Sequence, residues 1–107
     1  MMTSSRLSKR SSNRLKDTEM NDADREILLI AAEECAEVTQ ALTKVLRFGL
    51  DTKWEGVVNS DHLAMEIGDL FCMVDLMVER GMINRDAVYE ASVAKRERLK
   101  KWSKVFG

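Results

Sequence analysis

"DREILLIAAEECAEVTQALTKVLRF", residues 24–48, is the stretch whose reading decides the fold. Ile27, Ile30, Ala31, Val38, Ala41 and Val45 recur at helical spacing, while Arg25, Thr39 and Arg47 fall elsewhere on the wheel. Asn21 can cap this helix, and Asp22, Asp24 and Glu26 crowd the end where the helix dipole favours negative charge. Gly49 offers a stop. The spacing therefore predicts one long amphipathic helix over 22–48. Its inner stripe is odd. At about 100° per residue, Ile30, Glu34, Glu37 and Ala41 fall within roughly 60° of one another, with Glu33 at the margin. Acids stand where leucines belong.

Working outward, residues 49–59 form a connection that holds Trp54, Gly56 and Asn59. A loop of this length with a tryptophan packs against something, either covering a site or serving as a structural flap. A second helix begins after Asn59 or Ser60 and runs to Arg80. Leu63, Ile67, Leu70, Met73, Val74 and Met77 form its stripe, and Phe71 and Val78 widen it. Gly81 ends that segment, and Asn84 caps a third helix, with Ile83 and Val88 placed as a hydrophobic staple. The third helix directs Val88, Ala91, Leu99, Trp102 and Phe106 inward. No stretch sustains the two-residue alternation of a strand, and the chain has no proline and only five glycines. The fold class expected is all-α. Three helices of these lengths bury their apolar faces incompletely, so the bundle is expected to be completed by a partner copy, as a homodimer or homotetramer.

At 107 residues the chain suits one domain, residues 22–107, preceded by a flexible basic arm, residues 1–21, with five basic and two acidic side chains. An isolated basic arm is poor evidence for nucleic-acid binding. Cys35 and Cys72 stand singly in apolar segments and suggest neither a disulfide framework nor a metal-type pair, which favours a reducing, cytoplasmic setting. No apolar run approaches the roughly 20 residues that a membrane span needs.

The second helix repeats the oddity of the first. Glu66 lies beside Leu63, Leu70 and Met73, with Asp69 one turn on. Acids three residues apart face the same way, so two such pairs on adjacent antiparallel helices would bring four carboxylates around one point. Desolvation and mutual repulsion make that arrangement unfavourable unless protons or cations intervene. An all-oxygen set selects Mg²⁺, with Mn²⁺ as a substitute, over zinc. The alternative is a set of surface acids neutralised by Lys44, Arg47 or Lys95. A di-iron bundle suits the chain less well, because the only histidine, His62, precedes Glu66 by four residues. His62 reads best as a surface residue of the first turn.

Lys95 lies on the Val88–Leu99 face, either snorkelling to solvent or reaching substrate phosphates. Six cations fall between positions 95 and 104, and Arg98, three residues after Lys95, is the second candidate for a phosphate clamp. No glycine-rich phosphate loop is present, so phosphate binding would rest on metal and side chains.

Glu33, Glu34 and Glu37, followed after 28 residues by Glu66 and Asp69, resemble the E-E-x-x-E…E-x-x-D pattern of the MazG-like all-α nucleoside triphosphate pyrophosphohydrolase superfamily. The resemblance extends through "EIGDLFCMVDLMVERGM", residues 66–82, to the helix bearing Lys95. It implies Mg²⁺-dependent cleavage between the α- and β-phosphates of a nucleoside triphosphate, giving a monophosphate and pyrophosphate. It further implies Glu34, Glu37, Glu66 and Asp69 as metal ligands, with Glu33 as a further ligand or the group that steers water. Lys95, with Arg98, would meet the leaving pyrophosphate, and Trp54 would either stack on the base or pack structurally. Arg98 stands where proteins of the MazG type often have asparagine, which leaves base preference open. Phosphoribosyl-ATP pyrophosphatases share the acidic pattern. A non-catalytic oligomerising module that binds a structural cation is the rival of another class.

Overall fold

The computed structural model describes residues 20–107; the arm expected over 1–21 lies almost wholly outside the described residues. Helix α1 spans Asp22–Phe48, bounded as its sequence dictates. The Asn21 side chain accepts from the Asp24 N–H at 2.8 Å, and Gly49, at φ 98°, donates its N–H to the Val45 carbonyl. Helix α2 spans Asn59–Glu79 and helix α3 Arg85–Trp102. The Asn84 side chain caps α3 by accepting from the Ala87 N–H at 3.0 Å.

The connection after α1 departs from the expectation of a plain loop. Strand β1 (Lys53–Trp54) pairs antiparallel with β2 (Val57–Val58), with Lys53 opposite Val58 and Trp54 opposite Val57. The two turn residues, Glu55 at φ 51° and Gly56 at φ 83°, both take the left-handed conformation of a tight hairpin. Two-residue strands are too short to display alternation, which is why the sequence hid them.

Buried Asn59 then locks this connection to α2. Its backbone N–H donates to the Thr52 carbonyl at 2.8 Å, its side-chain amide donates to the Gly49 carbonyl at 3.0 Å, and the Ser60 N–H donates to the Leu50 carbonyl at 2.9 Å. At the other end of the pair, Arg80 donates to Asp24 at 2.7 Å, holding the end of α2 to the start of α1. The two helices therefore run antiparallel along one seam.

Along that seam lie Ile27, Ile30, Ala31, Glu34, Val38, Ala41 and Val45 from α1, all buried or half-buried. Leu63, Glu66, Ile67, Leu70, Met73, Val74 and Met77 answer them from α2. Only Ala31, Ala41 and Met73 are fully buried apolar residues among those described. The two alanines let the helices approach closely, but they fill little volume.

The third helix does not behave as expected. It makes no packing contact comparable to that between α1 and α2. Val88, Ala91, Trp102 and Phe106, expected to point inward, are exposed, with Trp102 at 80%; Leu99 alone is half-buried. Arg85 reaches Asp75 of α2 at 3.2 Å, and the Arg96 guanidinium lies over the Phe106 ring at 5.0 Å, which folds the C-terminal residues back onto α3. Periodicity places these residues along one side of α3, yet among the described residues nothing packs over them as the two long helices pack on each other.

Candidate metal centre

Midway along the α1–α2 seam the acids meet. One carboxylate oxygen from each of Glu34, Glu66 and Asp69 lies within 4.8 Å of the others. The backbone geometry that achieves this is simple. Glu34 follows buried Ala31 by three residues, so it shares that face, and Glu66 and Asp69 stack on successive turns of α2. Glu34 and Glu66 are half-buried, while Asp69 opens to solvent.

Glu34 carries the electrostatic strain. Its Oε2 is shielded from solvent and has no hydrogen-bond partner. Burial pushes the Glu34 carboxyl above its ordinary value, and the charges of Asp69, Glu66, Glu37 and Glu33 push the same way. Among the described residues, no Lys or Arg forms an ion pair with this cluster. The alternative in which Lys44, Arg47 or Lys95 neutralises the acids is thus not what the structure adopts. The one basic neighbour is His62, whose Nε2 lies 3.6 Å from Glu66 Oε2, one turn away on α2. Sequence reading placed His62 on the surface; i,i+4 spacing to Glu66 was the signal for this contact.

Hard divalent ions fit this donor set. Two oxygens on one Mg²⁺ sit at most about 4.2 Å apart, twice the metal–oxygen distance, and slightly farther on a larger ion. Three ligands of one ion cannot all stand opposite one another, so at least two of the three pairs would close to about 3 Å, the spacing of adjacent octahedral ligands. Glu34 Oε2, orphaned in a carboxyl on which four neighbouring acids act, is the atom whose desolvation a cation would relieve.

The other expected site residues are placed as follows. Glu33 and Glu37 are exposed and stand outside the close set, although both charges act on Glu34. Lys95 and Arg98 are exposed on α3 and pair with none of the acids. Trp54 lies on the hairpin, 53% exposed, with the Lys44 ammonium 4.9 Å above its ring centroid. The hairpin, the end of α1 and the start of α2 enclose a cavity of about 220 Å³ lined by Lys44, Phe48, Thr52, Lys53, Trp54 and Asn59. The Lys44–Trp54 pair depends on the hairpin turn, so helical periodicity could not disclose it.

No family model, curated protein or solved structure matches the chain. The site speaks through its own geometry.

The raised Glu34 pKa fixes the sign of a pH effect. An acid whose folded pKa exceeds its unfolded one opposes folding once ionised; the cost is absent while both states are protonated and appears as pH rises through the folded pKa. In the absence of divalent ions, the Tm of the native chain relative to that of a Glu34→Gln variant is expected to rise as pH falls from neutrality. Mg²⁺ is expected to raise the native Tm at pH 7, with the gain shrinking as Glu34 protonates. At a free ion concentration a hundredfold above Kd, mass action supplies about 2.7 kcal/mol, on the order of 10 °C for a domain of this size. Thermal melts across pH, with Mg²⁺ or with EDTA, check both expectations. A Tm indifferent to Mg²⁺ at neutral pH would remove the metal centre.

Proposed function

We propose that this chain is a Mg²⁺-dependent nucleoside triphosphate pyrophosphohydrolase of the MazG-like all-α kind. The observation that carries the reading is the convergence of Glu34, Glu66 and Asp69 from two antiparallel helices, with Glu34 left without a partner. Among the described residues no helix is long and apolar enough to cross a membrane. Cys35 and Cys72 are both free and exposed, which accords with a reducing cytoplasm.

Glu34, Glu66 and Asp69 would hold the ion, with Glu37 closing the set from the rim. When bound, Mg²⁺ supplies neutralisation of the phosphoryl oxygens and activation of the attacking water. The water oxygen attacks the α-phosphorus, and the bond from that phosphorus to the bridging oxygen breaks. The products are a nucleoside monophosphate and pyrophosphate. Glu33, exposed and next to Glu34 in the chain, would take the water's proton. The acids repel a polyphosphate in the absence of cations, so binding requires positive charge from elsewhere in the protein as well.

That charge is carried by Lys95 and Arg98, and it supports a homo-oligomeric site. An 18-residue helix exposed along nearly its whole length draws little stability from its own propensity. Val88, Tyr89, Val93 and Trp102 on α3, and Leu42, Leu46, Met65 and Phe71 on the helix pair, are all exposed. Burying one such side chain contributes about 1.5–3 kcal/mol, so a handful offsets the roughly 4–15 kcal/mol that association costs. A second copy's basic α3 laid beside the acidic seam would cover part of this apolar surface and bring Lys95 and Arg98 to the phosphates in trans. Trp54, on the hairpin that follows α1, would stack on the base.

The test is pyrophosphate release from a panel of ribo- and deoxyribonucleoside triphosphates, with phosphoribosyl-ATP included. Release that requires Mg²⁺ or Mn²⁺ and stops with EDTA is the expected result. Metal-induced stabilisation with no turnover of any member would instead leave a helical module holding a structural cation.

A further inference from the structure

Beyond the acids, the α1–α2 seam leads into the cavity beneath the hairpin. Lys44 follows Glu37 by seven residues and Asn59 precedes Glu66 by seven. On both helices, then, the cavity stands about 10 Å from the nearest acid and about 15 Å from Glu34 and Asp69, and a seven-residue step returns to within about 20° of the same face. Its volume of about 220 Å³ falls below the roughly 300–1,000 Å³ of a complete small-molecule site. It suits one ring system, with the rest of the ligand lying outside.

Resting on the pyrophosphohydrolase reading, we propose that this cavity is the base subsite and that it selects nucleobases bearing ring carbonyl oxygens. Phe48 and Trp54, each about half exposed, give the cavity two aromatic surfaces. A flat heteroaromatic ring gains by stacking on either. Direction comes from the polar inventory. The Thr52 hydroxyl donates to the Phe48 carbonyl, and the Asn59 amide nitrogen donates to the Gly49 carbonyl. Asn59 Oδ1 is closed off from solvent and so from a ligand. The Thr52 oxygen keeps acceptor capacity, but the charged groups of the lining are the ammonium groups of Lys44 and Lys53, which donate and never accept. Neither forms an ion pair among the described residues. Contact with the Trp54 ring keeps the Lys44 ammonium at the cavity mouth. Uracil, thymine, cytosine, guanine and hypoxanthine all present carbonyl oxygens to such donors. Adenine has none and offers an ammonium only its ring nitrogens, beside an amino group that is itself a donor.

The chain has two tryptophans, Trp54 and Trp102, so Trp102→Phe makes Trp54 the sole indole. Trp102 is largely exposed on α3 and does not line the cavity. The full chain with this change is titrated, in Mg²⁺, with α,β-methylene analogues of dUTP, dGTP and dATP, and with inorganic tripolyphosphate. Trp54 fluorescence is expected to respond to the uracil and guanine analogues with Kd at least about tenfold below that of the adenine analogue, the worth of about one hydrogen bond. Tripolyphosphate should leave the indole unmoved. Adding Lys44→Met should bring the three analogues within about twofold of one another, whereas Lys44→Arg should preserve the discrimination. Equal affinities in the parent, or an equal response to tripolyphosphate, overturns the subsite. Because binding is read, absence of turnover would sink the hydrolase reading and still leave the subsite decided. Conversely, pyrophosphate release from every nucleotide with no response from Trp54 would discard the subsite and keep the hydrolase.

Discussion

Glu66→Gln should lower kcat/KM for pyrophosphate release by about 10²–10³, the loss seen when one charge-stabilising group is removed from a preorganised site. The amide keeps the size and shape of the side chain, so packing beside His62 on α2 should survive. Asp69→Asn should act similarly, and the double variant should lose less than the product of the two, because ligands of one ion act as a unit. Glu34→Gln separates site chemistry from fold stability. It removes an ionised group that is shielded, unpartnered and crowded by four acids. The metal-free variant should therefore melt higher than the native chain at neutral pH while losing both activity and its Mg²⁺-induced gain in Tm. Acids that served only as solvated surface would not couple stability and activity in opposite directions. Steady-state kinetics and melts with EDTA check the pair of effects. Native-like turnover by Glu34→Gln would show that the ion, if bound, does no chemistry.

Much of this arrangement was legible before any coordinates. Asn21, Gly49 and Asn84 bound helices because their backbone and side-chain chemistry is local, and the chain folds between them as capping rules require. Glu34, Glu66 and Asp69 were legible because a carboxylate on an apolar stripe conflicts with burial, and such conflicts collect at functional sites. Glu37 was harder. On the wheel it lies about 60° from Glu34, far enough that a seam closed by alanines leaves it exposed at the rim. The hairpin escaped notice because its strands are two residues long and its turn rests on Glu55, which is no usual left-handed residue. The disposition of α3 escaped for a different reason. Periodicity states which face of a helix is apolar, but not whether its own chain or another supplies the cover.

That last point carries the other large expected effect. Lys95→Ala removes a cation needed by the leaving pyrophosphate, and Glu66→Gln removes a metal ligand; each protein alone should be nearly inactive. If α3 acts in trans, each site takes its acids from one copy and Lys95 from the other. Mixing the two variants one to one, unfolding and refolding them together, should then restore activity. Half the resulting dimers are mixed, and each mixed dimer holds one site with native acids and native Lys95, so about a quarter of the native activity should return. A site built wholly within one chain predicts none, since every chain in the mixture carries a lesion. Lys95→Arg keeps the charge and tests whether charge suffices; it should retain more activity than Lys95→Ala, mainly by sparing KM. Trp102→Ala should weaken the assembly itself, because a side chain 80% exposed in the protomer has no other packing to lose. Sedimentation of that variant, compared with the native chain, then separates loss of the partner from loss of the lysine. No recovery in any mixture, from a native chain that sediments as a monomer, would return α3 to solvent and leave the acidic seam to act alone.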